Sequence, residues 1–201
     1  MSEPRPYNMK ARAESAQATH LSIIAAAVAL FMETDWADVS LEMIAARAQV
    51  TLQTVLRRFG SKAGLFSAAV EQVAAEVQSL RVPARKGDAR AAIRALVDLY
   101  EKFGEMNWRL LRHEAHDPAL AALLDRARSV HRTWLEEVFD VHLPARGKER
   151  ERRLSLLFAA TDFYVWKLAR KDLKRSRAQA ERVIFELVEA LLQQFELKEE
   201  P

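Results

Sequence analysis

Glycine and proline are rare in this sequence and lie between long stretches rich in Ala, Leu, Glu, Arg and Gln. The 201 residues include only 5 Gly and 6 Pro, while 50% of the residues are hydrophobic. Straight-chain residues of this kind favour helices, and Gly and Pro interrupt them. No stretch alternates apolar and polar residues as a half-buried strand would. The sequence therefore predicts an all-α protein with enough apolar residues to build a core.

Capping residues and the helical spacing of apolar side chains predict where the helices begin and end. Asp117 and Pro118 form the strongest start signal, because an N-cap residue is followed by Pro at the first helical position. Gly60 is predicted to end one helix, and the stretch around Trp108 is predicted to be less regular. The predicted helices, with their caps, cover residues 15–32, 40–48, 51–59, 61–80, 88–104, 117–141, 149–170 and 176–197.

A short segment with Pro, Gly and three basic residues separates two groups of predicted helices. It covers residues 81–87 (RVPARKG), a composition typical of a linker. Residues 1–14 are polar and contain Pro4 and Pro6, which predicts a disordered arm. We therefore expect an N-terminal domain over residues 15–80 and a second helical domain over residues 88–201.

The last two of the three short helices predicted within residues 21–59 are joined by a tight turn. In a helix-turn-helix with this arrangement, the second helix of the pair lies in the major groove of DNA. Gln53 and Arg57 suit base reading, because both side chains can make bidentate hydrogen bonds to base edges. The residues predicted to contact bases or phosphates are Ser40, Thr51, Leu52, Gln53, Thr54, Arg57, Arg58 and Lys62.

The distribution of charge supports this interpretation better than the net charge does, which is only +3. No acidic residue lies between Glu42 and Glu71, so this window favours contact with phosphates. The basic residues of the window are Arg47, Arg57, Arg58 and Lys62. Two alternatives stay open at this point: a chance charge bias on a solvated face, and a three-helix fragment of an ordinary bundle.

An ordered set of motif residues runs through the same helices, from Ile24 to Leu65. The set consists of Ala26, Leu30, Phe31, Val39, Ser40, Leu41, Ile44, Ala45, Ala48, Val50, Thr51, Thr54, Phe59, Ser61, Lys62 and Leu65. It resembles the DNA-binding domain of the tetracycline-repressor (TetR/AcrR) family. The resemblance implies an N-terminal three-helix helix-turn-helix domain, followed by a helical bundle that binds a ligand and dimerises through its last two long helices.

Three residues depart from the pattern of that family. Gln49 stands in the turn where the family usually has Gly, so a side chain must be accommodated there at some conformational cost. Leu56 replaces a Tyr whose hydroxyl typically contacts phosphate in the family. Arg58 replaces a common His and could restore a phosphate contact through its charge. These departures leave the usual contact map of the family open for this chain.

Apolar residues on the last two predicted helices suggest a dimer interface. The final helix has an apolar stripe, and the preceding helix is apolar nearly all round, so it needs partners on most sides. A two-fold dimer would also match a palindromic operator. The predicted interface residues are Leu154, Phe158, Val165, Ile184, Leu187, Leu191 and Phe195. Burial of these residues within one chain is the alternative.

Aromatic residues with a few polar groups among them suggest a ligand cavity in the second domain, since such cavities are mostly apolar with few polar anchors. The candidate lining residues are Tyr100, Phe103, Trp108, Leu111, His131, Trp134, Phe158, Asp162 and Trp166. For each aromatic residue, a place in the core is the alternative. Asp162 interrupts an apolar run and is predicted either to anchor a ligand or to be paired at the interface.

Several classes of protein are excluded or disfavoured by what the sequence contains. No Cys is present, so disulfides, zinc–thiolate sites and thiol catalysis are excluded. His113, His116 and His131 lack the spacing of metal ligands, and solvated or capping roles are favoured. The longest apolar run, residues 23–32, is shorter than a membrane span requires. We expect no enzyme motif, no cofactor, no metal and a cytoplasmic location.

The sequence thus predicts a ligand-responsive transcriptional regulator, expected to be a dimeric repressor that a small hydrophobic molecule releases from a palindromic operator. One alternative is a helical carrier of a hydrophobic compound with a vestigial DNA-binding domain, which only Gln49 and Leu56 favour. Another is a basic protein that adsorbs to membranes or to any nucleic acid, which the small net charge disfavours.

Overall fold

The computed structural model describes residues 9–81 and 86–197, and within these ranges it contains nine α-helices and no strand. The helices are α1 (Met9–Glu33), α2 (Leu41–Arg47), α3 (Leu52–Phe59), α4 (Lys62–Arg81), α5 (Ala89–Leu111), α6 (Pro118–Val138), α7 (Lys148–Thr161), α8 (Phe163–Lys167) and α9 (Arg177–Leu197). The prediction of an all-α chain is confirmed. The described residues form two compact units, divided after Val73 within α4.

The first unit is built on the apolar faces of α1 to α3 and the first half of α4. Ile23, Ile44, Val55 and Leu65, one from each of these helices, are completely buried. Burying one such side chain stabilises the fold by roughly 1.5–3 kcal/mol. This core holds the three short helices in place around the turn between α2 and α3.

Three aromatic rings form the part of this core next to the loop between α1 and α2. The rings of Phe31, Trp36 and Phe66 pack in a triangle, with centroids 5.3, 4.9 and 4.5 Å apart. Trp36 belongs to the loop itself and is 7% exposed. The loop is therefore anchored to the core and fixes where α2 begins.

Residues Arg12–Glu33 of α1 are long and apolar enough to cross a membrane by length and composition alone. This stretch is longer than the apolar run 23–32, because Ala, Ser and Thr residues extend it. Ile23, Ala27 and Leu30 are buried in the core of the first unit. A helix that packs in a protein core meets the same criteria, and these three residues of α1 pack in such a core.

The second unit is a bundle whose central helix is α5. Ile93, Leu96 and Val97 on α5 are completely buried, as are Ile184 and Val188 on α9. The helices α6 and α7 pack on the same core and on each other. The start of α9 is capped on both sides, because the Gln179 N–H donates to Ser176 Oγ (3.2 Å) and the Ser176 N–H donates to Gln179 Oε1 (2.9 Å).

Some helix boundaries differ from the predicted ones. The first helix begins at Met9 rather than near residue 15, so residues 9–14 of the predicted disordered arm are helical. Residues 11–14 (ARAE) are all good helix formers, which accounts for the longer helix. The helix α6 ends at Val138 and is followed by a 3₁₀ turn, Asp140–His142, where it was predicted to continue to residue 141. Residues 1–8 and 82–85, the latter in the predicted linker, lie outside the described residues.

The helix α5 does not end near Gly104, as predicted, but continues to Leu111. The six-membered ring of Trp166 lies directly on Gly104, and a Cβ atom at this position would overlap it. Glycine is therefore present in the middle of α5 because two helices approach closely there, and it does not end the helix.

The long helix predicted over residues 149–170 is broken at Asp162. The Tyr100 hydroxyl donates to the backbone oxygen of Thr161 (2.9 Å), so a side chain from α5 occupies this acceptor. Asp162 then caps α8, because its Oδ1 atom accepts from the Tyr164 N–H (2.9 Å). After α8 the chain forms a π turn, Leu168–Asp172, before α9. Asp162 has a structural role as a cap that the sequence did not indicate.

Candidate functional site

The start of α3 is fixed by Thr51, whose side-chain oxygen accepts a hydrogen bond from the Thr54 N–H (3.2 Å). Thr51 Oγ1 also lies 2.9 Å from Thr54 Oγ1. Val55 directs α3 into the core and is completely buried. Gln53 and Arg57, four residues apart, therefore lie on the opposite face of this helix and are both exposed.

The turn between α2 and α3 is a Schellman motif with Gln49 in the left-handed position. Its φ angle is 56°, and the Gln49 N–H donates to the Ala46 oxygen (3.1 Å) while the Val50 N–H donates to the Ala45 oxygen (3.0 Å). The side chain of Gln49 is exposed, so it is accommodated in solvent. The turn thus has the geometry for which glycine is usual, and the predicted conformational cost is present.

The basic residues of the acid-free window have different environments. Arg47 pairs with both carboxylate oxygens of Glu33 (2.5 and 2.8 Å), and this hydrogen bonding lowers the pKa of the Glu33 carboxyl. Lys62 donates to the backbone oxygen of Trp36 and lies 4.3 Å from the centre of its ring. Both cations thus take part in contacts that join elements of the first unit.

The other basic residues of the acid-free window are Arg57 and Arg58, which lie at the end of α3. Arg57 is exposed. Arg58 is half-buried, and its Nε atom is buried without a hydrogen-bond partner among the described residues.

Of the other predicted DNA-contacting residues, Ser40 caps α2 by accepting from the Met43 N–H (3.2 Å), and Leu52 and Thr54 are half-buried. The structure thus brings Gln53 and Arg57 together on one exposed face.

A network of buried polar groups lies at the centre of the second unit. His131 Nε2 is 3.0 Å from Thr161 Oγ1, and Thr161 Oγ1 also donates to the Leu157 oxygen (2.7 Å). The imidazole ring lies 5.0 Å from the ring of Phe158 and 5.7 Å from that of Trp134. These candidate ligand-binding residues, together with Tyr100 and Phe103, lie in the packed core or at its edge.

A cavity of about 250 Å³ lies between α5, α8 and the π turn. Its lining includes Trp108 and Trp166, two of the candidate ligand-binding residues. The other lining residues are Gly104, Glu105, Phe163, Lys167, Lys171 and Asp172. Glu101, close to this cavity, accepts from Trp166 Nε1 (2.9 Å) and pairs with Arg170, and hydrogen bonding to Arg170 and Trp166 lowers the pKa of the Glu101 carboxyl.

The candidate interface residues lie in two environments. Leu154, Ile184 and Phe195 are at most 1% exposed within the single chain, so for these three the core alternative describes their place. Leu187 is 45% exposed. The half-buried residues of the set are Phe158, Val165 and Leu191.

The segment 23–69 matches the model of the family described as bacterial regulatory proteins, tetR family. This segment contains α2, the Schellman turn, α3 and the start of α4. Over these residues the chain matches the tetR family. The family that the motif residues indicated is confirmed for this segment, and the match supports a DNA-binding transcriptional regulator. Regulators of this family are generally not enzymes.

Solved structures share the fold over most of the chain. A tetR-family transcriptional regulator from Streptomyces coelicolor has a TM-score of 0.70 at 18% identity, covering 92% of this chain and 90% of that chain. A transcriptional regulator from Rhodococcus sp. Rha1 has a TM-score of 0.67 at 19% identity, with coverages of 90% and 97%. SmeT, solved as a complex with triclosan, has a TM-score of 0.64 at 20% identity, with coverages of 89% and 91%. No curated protein matches the sequence.

Several residues around the cavity were missed by the sequence analysis. Gly104 was interpreted as a helix end, and Lys167 and Lys171 were not among the candidate site residues. One signal in the sequence could have identified the lysines together: they are four residues apart, a spacing that places two side chains on one face of a helix. The π turn after Lys167 gives no such signal in the sequence, because it depends on contacts with α5.

Proposed function

We propose that this regulator is a dimeric repressor that binds a palindromic operator and leaves it when a small hydrophobic molecule binds the second unit. The observation that supports DNA reading best is the pair Gln53 and Arg57 on one exposed face of α3. Both side chains can contact base edges from the major groove. They lie within the segment that matches the tetR-family model.

The proposal of a dimer is supported by a second apolar face on α9. Val183 and Leu187 are 40% and 45% exposed, although Ile184 and Val188 beside them are completely buried. Ala190 continues this exposed face one turn later. A helix that is apolar on two sides has one side for its own core and one for a partner. Two copies related by a two-fold axis would place two α3 helices on the two halves of a palindrome.

Release by a ligand requires that the ligand bind one state of the dimer better than the other. We propose that α4, which begins in the first unit and ends in the second, transmits this preference and changes the separation of the two α3 helices. SmeT, one of the similar structures, was solved with triclosan bound. A cytoplasmic location, where the operator is, completes the proposal.

A gel-shift titration against the DNA upstream of the protein's own gene tests DNA reading. We expect a shift that survives scrambled competitor DNA at physiological salt. Arg57→Ala should reduce specific affinity by roughly 1–3 kcal/mol, because a bidentate base contact is lost. Arg126→Ala is the matched control, since it removes one exposed positive charge from α6 in the other unit.

Equal affinity of wild type and Arg57→Ala for the operator would contradict a base contact by this residue. If binding is equal for operator and scrambled DNA, and a genome-wide fragment selection also finds no site, the carrier alternative replaces the regulator. Titration of both proteins at two salt concentrations separates the two roles of Arg57. Loss of a phosphate contact in Arg57→Ala would lower the salt dependence by about one unit of slope, whereas loss of a base contact would change the sequence preference.

A further inference from the structure

The cavity next to Gly104 has aromatic walls. It is about 250 Å³ in volume, and the side chains of Trp108, Phe163 and Trp166 line it. An apolar cavity of about 150 Å³ is large enough for benzene. This cavity therefore has room for one aromatic ring or two fused rings. The cavity reaches the backbone of α5 at residue 104 because Gly104 has no side chain.

The charged side chains that line the cavity differ in how far they are exposed to water. Lys167 is the most covered of them, with its side chain 19% exposed, and its Nζ atom lies 4.4 Å from the centre of the Trp108 ring. The carboxylates of Glu105 and Asp172 are 55% and 50% exposed. The charge held among the aromatic rings is thus positive, and the negative charges lie where water reaches them.

We propose that the effector is a small aromatic acid, whose ring lies against the indoles of Trp108 and Trp166 and whose carboxylate replaces that of Asp172 on Lys167. This inference rests on the proposed function, because it names the chemical class of the molecule that releases DNA. Lys167 now donates to both oxygens of Asp172 (2.9 and 3.0 Å). An incoming carboxylate would preserve this charge-assisted pair and return Asp172 to solvent.

The exchange has a structural consequence, because the pair Lys167–Asp172 spans the π turn. The two residues are five apart in sequence, the spacing that a π turn brings onto one face. One residue later, the Leu173 N–H donates to the Leu168 oxygen (2.8 Å), which is also a bond between residues five apart. Residues 173–176 connect this turn to α9, which carries the proposed dimer face. Replacement of Asp172 by the ligand therefore removes a side-chain link at the base of that helix.

Isothermal titration of the full-length protein with 2-naphthoate and benzoate tests the inference. We expect wild type to bind 2-naphthoate, and Lys167→Met to bind it roughly tenfold more weakly or worse, because a charge-assisted hydrogen bond is lost. Asp172→Asn should bind it several-fold more tightly, roughly, because the competing carboxylate is removed. Opposite changes in the two variants cannot both come from misfolding. Lys148→Met, an exposed lysine at the start of α7, is the matched control.

The neutral 2-naphthamide and the cation benzyltrimethylammonium complete the set of ligands. The inference is supported if the acid binds and the amide and the cation do not, and if the two variants change the affinity for the acid in opposite directions. Equal binding of acid and amide, an absence of binding at millimolar concentration, or stronger binding of the cation overturns it. Gel shifts with the same protein keep the two proposals distinct. Specific DNA binding without naphthoate binding refutes only the effector class, and naphthoate binding without DNA binding refutes only the regulator.

Discussion

Gln49 occupies a backbone position that costs free energy for any residue except glycine. Its φ angle of 56° places it in the left-handed region, in the turn that sets the angle between α2 and α3. An L-residue with a side chain pays roughly 1–2 kcal/mol in this region. The Schellman hydrogen bonds of the turn compensate for this cost, because they satisfy the last carbonyl groups of α2.

We therefore expect Gln49→Gly to stabilise the first unit by about 0.5–1 kcal/mol, the relief of strain being partly offset by the greater freedom of glycine in the unfolded chain. Urea unfolding at fixed protein concentration measures the change. Ala46→Gly, three residues earlier in α2, is the control and should destabilise by about 1 kcal/mol. A lower unfolding midpoint for Gln49→Gly would show that the exposed side chain makes a contribution that its conformation does not reveal.

Gly104 presents the opposite case, since it lies in the interior of a helix. Helix propensity alone predicts that Gly104→Ala stabilises α5 by up to about 1 kcal/mol. The added Cβ would overlap the ring of Trp166, whose Nε1 atom is held by Glu101. We therefore expect a net destabilisation of about 1–3 kcal/mol, the usual cost of overpacking.

Thermal unfolding of Gly104→Ala, Trp166→Phe and the double variant tests the source of this cost. The smaller ring of Phe leaves room for the methyl group, so Gly104→Ala should cost much less in the Trp166→Phe background. Coupling between the two changes is the measured quantity. Additive effects would mean that the ring of Trp166 is not what excludes a side chain at residue 104.

At the scale of elements, the first turn of α7 contains a carboxylate held by two arginines. Glu149 accepts hydrogen bonds from Arg152 (2.8 and 2.6 Å) and Arg153 (3.1 Å). These bonds hold the pKa of the Glu149 carboxyl at about 2, below its ordinary value of 4.5. Arg153 is 3% exposed and also donates to the backbone oxygens of His142 and Phe195, so the cluster joins the start of α7 to the end of α9.

A carboxyl whose pKa is lowered by folding stabilises the native state above its unfolded pKa, and this stabilisation is lost as the pH falls through the folded value. For Glu149 the loss should therefore occur between about pH 4.5 and pH 2. We expect the melting temperature of wild type to fall more steeply over this interval than that of Glu149→Gln. Parallel curves for the two proteins would show that the cluster does not contribute to acid sensitivity.

The sequence predicted most helices of the first unit because their caps are local. Ser40 and Thr51 both accept hydrogen bonds from the third residue after them, as N-cap residues do, and this pattern is visible in the sequence alone. The break at Asp162 is different in origin. It depends on the Tyr100 hydroxyl, 61 residues away in sequence, which takes the Thr161 carbonyl. No periodicity within residues 149–170 could reveal that contact.

The candidate sites show the same difference between local and distant information. Gln53 and Arg57 could be placed on one face from their spacing, because α3 is a regular helix. The cavity was predicted only in part, through Trp108 and Trp166, since its other walls depend on the π turn and on the close approach at Gly104. Apolar periodicity also could not separate the two faces of α9, so Ile184 and Leu187 entered the same predicted interface although one is buried and the other exposed.

At the scale of the whole molecule, the proposed mechanism requires two copies of the chain, and the exposed face of α9 is where their contact is expected. Leu187 is in the middle of this face, between Val183 and Ala190. In a two-fold dimer each interface residue occurs twice near the axis, so one substitution changes both sides of the contact. Leu187→Glu would place two like charges in an apolar interface.

We expect Leu187→Glu to weaken the dimer by roughly 100-fold or more, because unpaired charges at a buried interface are strongly destabilising. Sedimentation velocity across a concentration series measures this, and circular dichroism checks that the helices are retained. Val141→Glu is the matched control: Val141 is 67% exposed and lies in the turn after α6. Operator affinity should fall with dimerisation in Leu187→Glu only, because one α3 helix reads one half-site. A Leu187→Glu protein that stays dimeric and binds the operator normally would place the partner contact on another face.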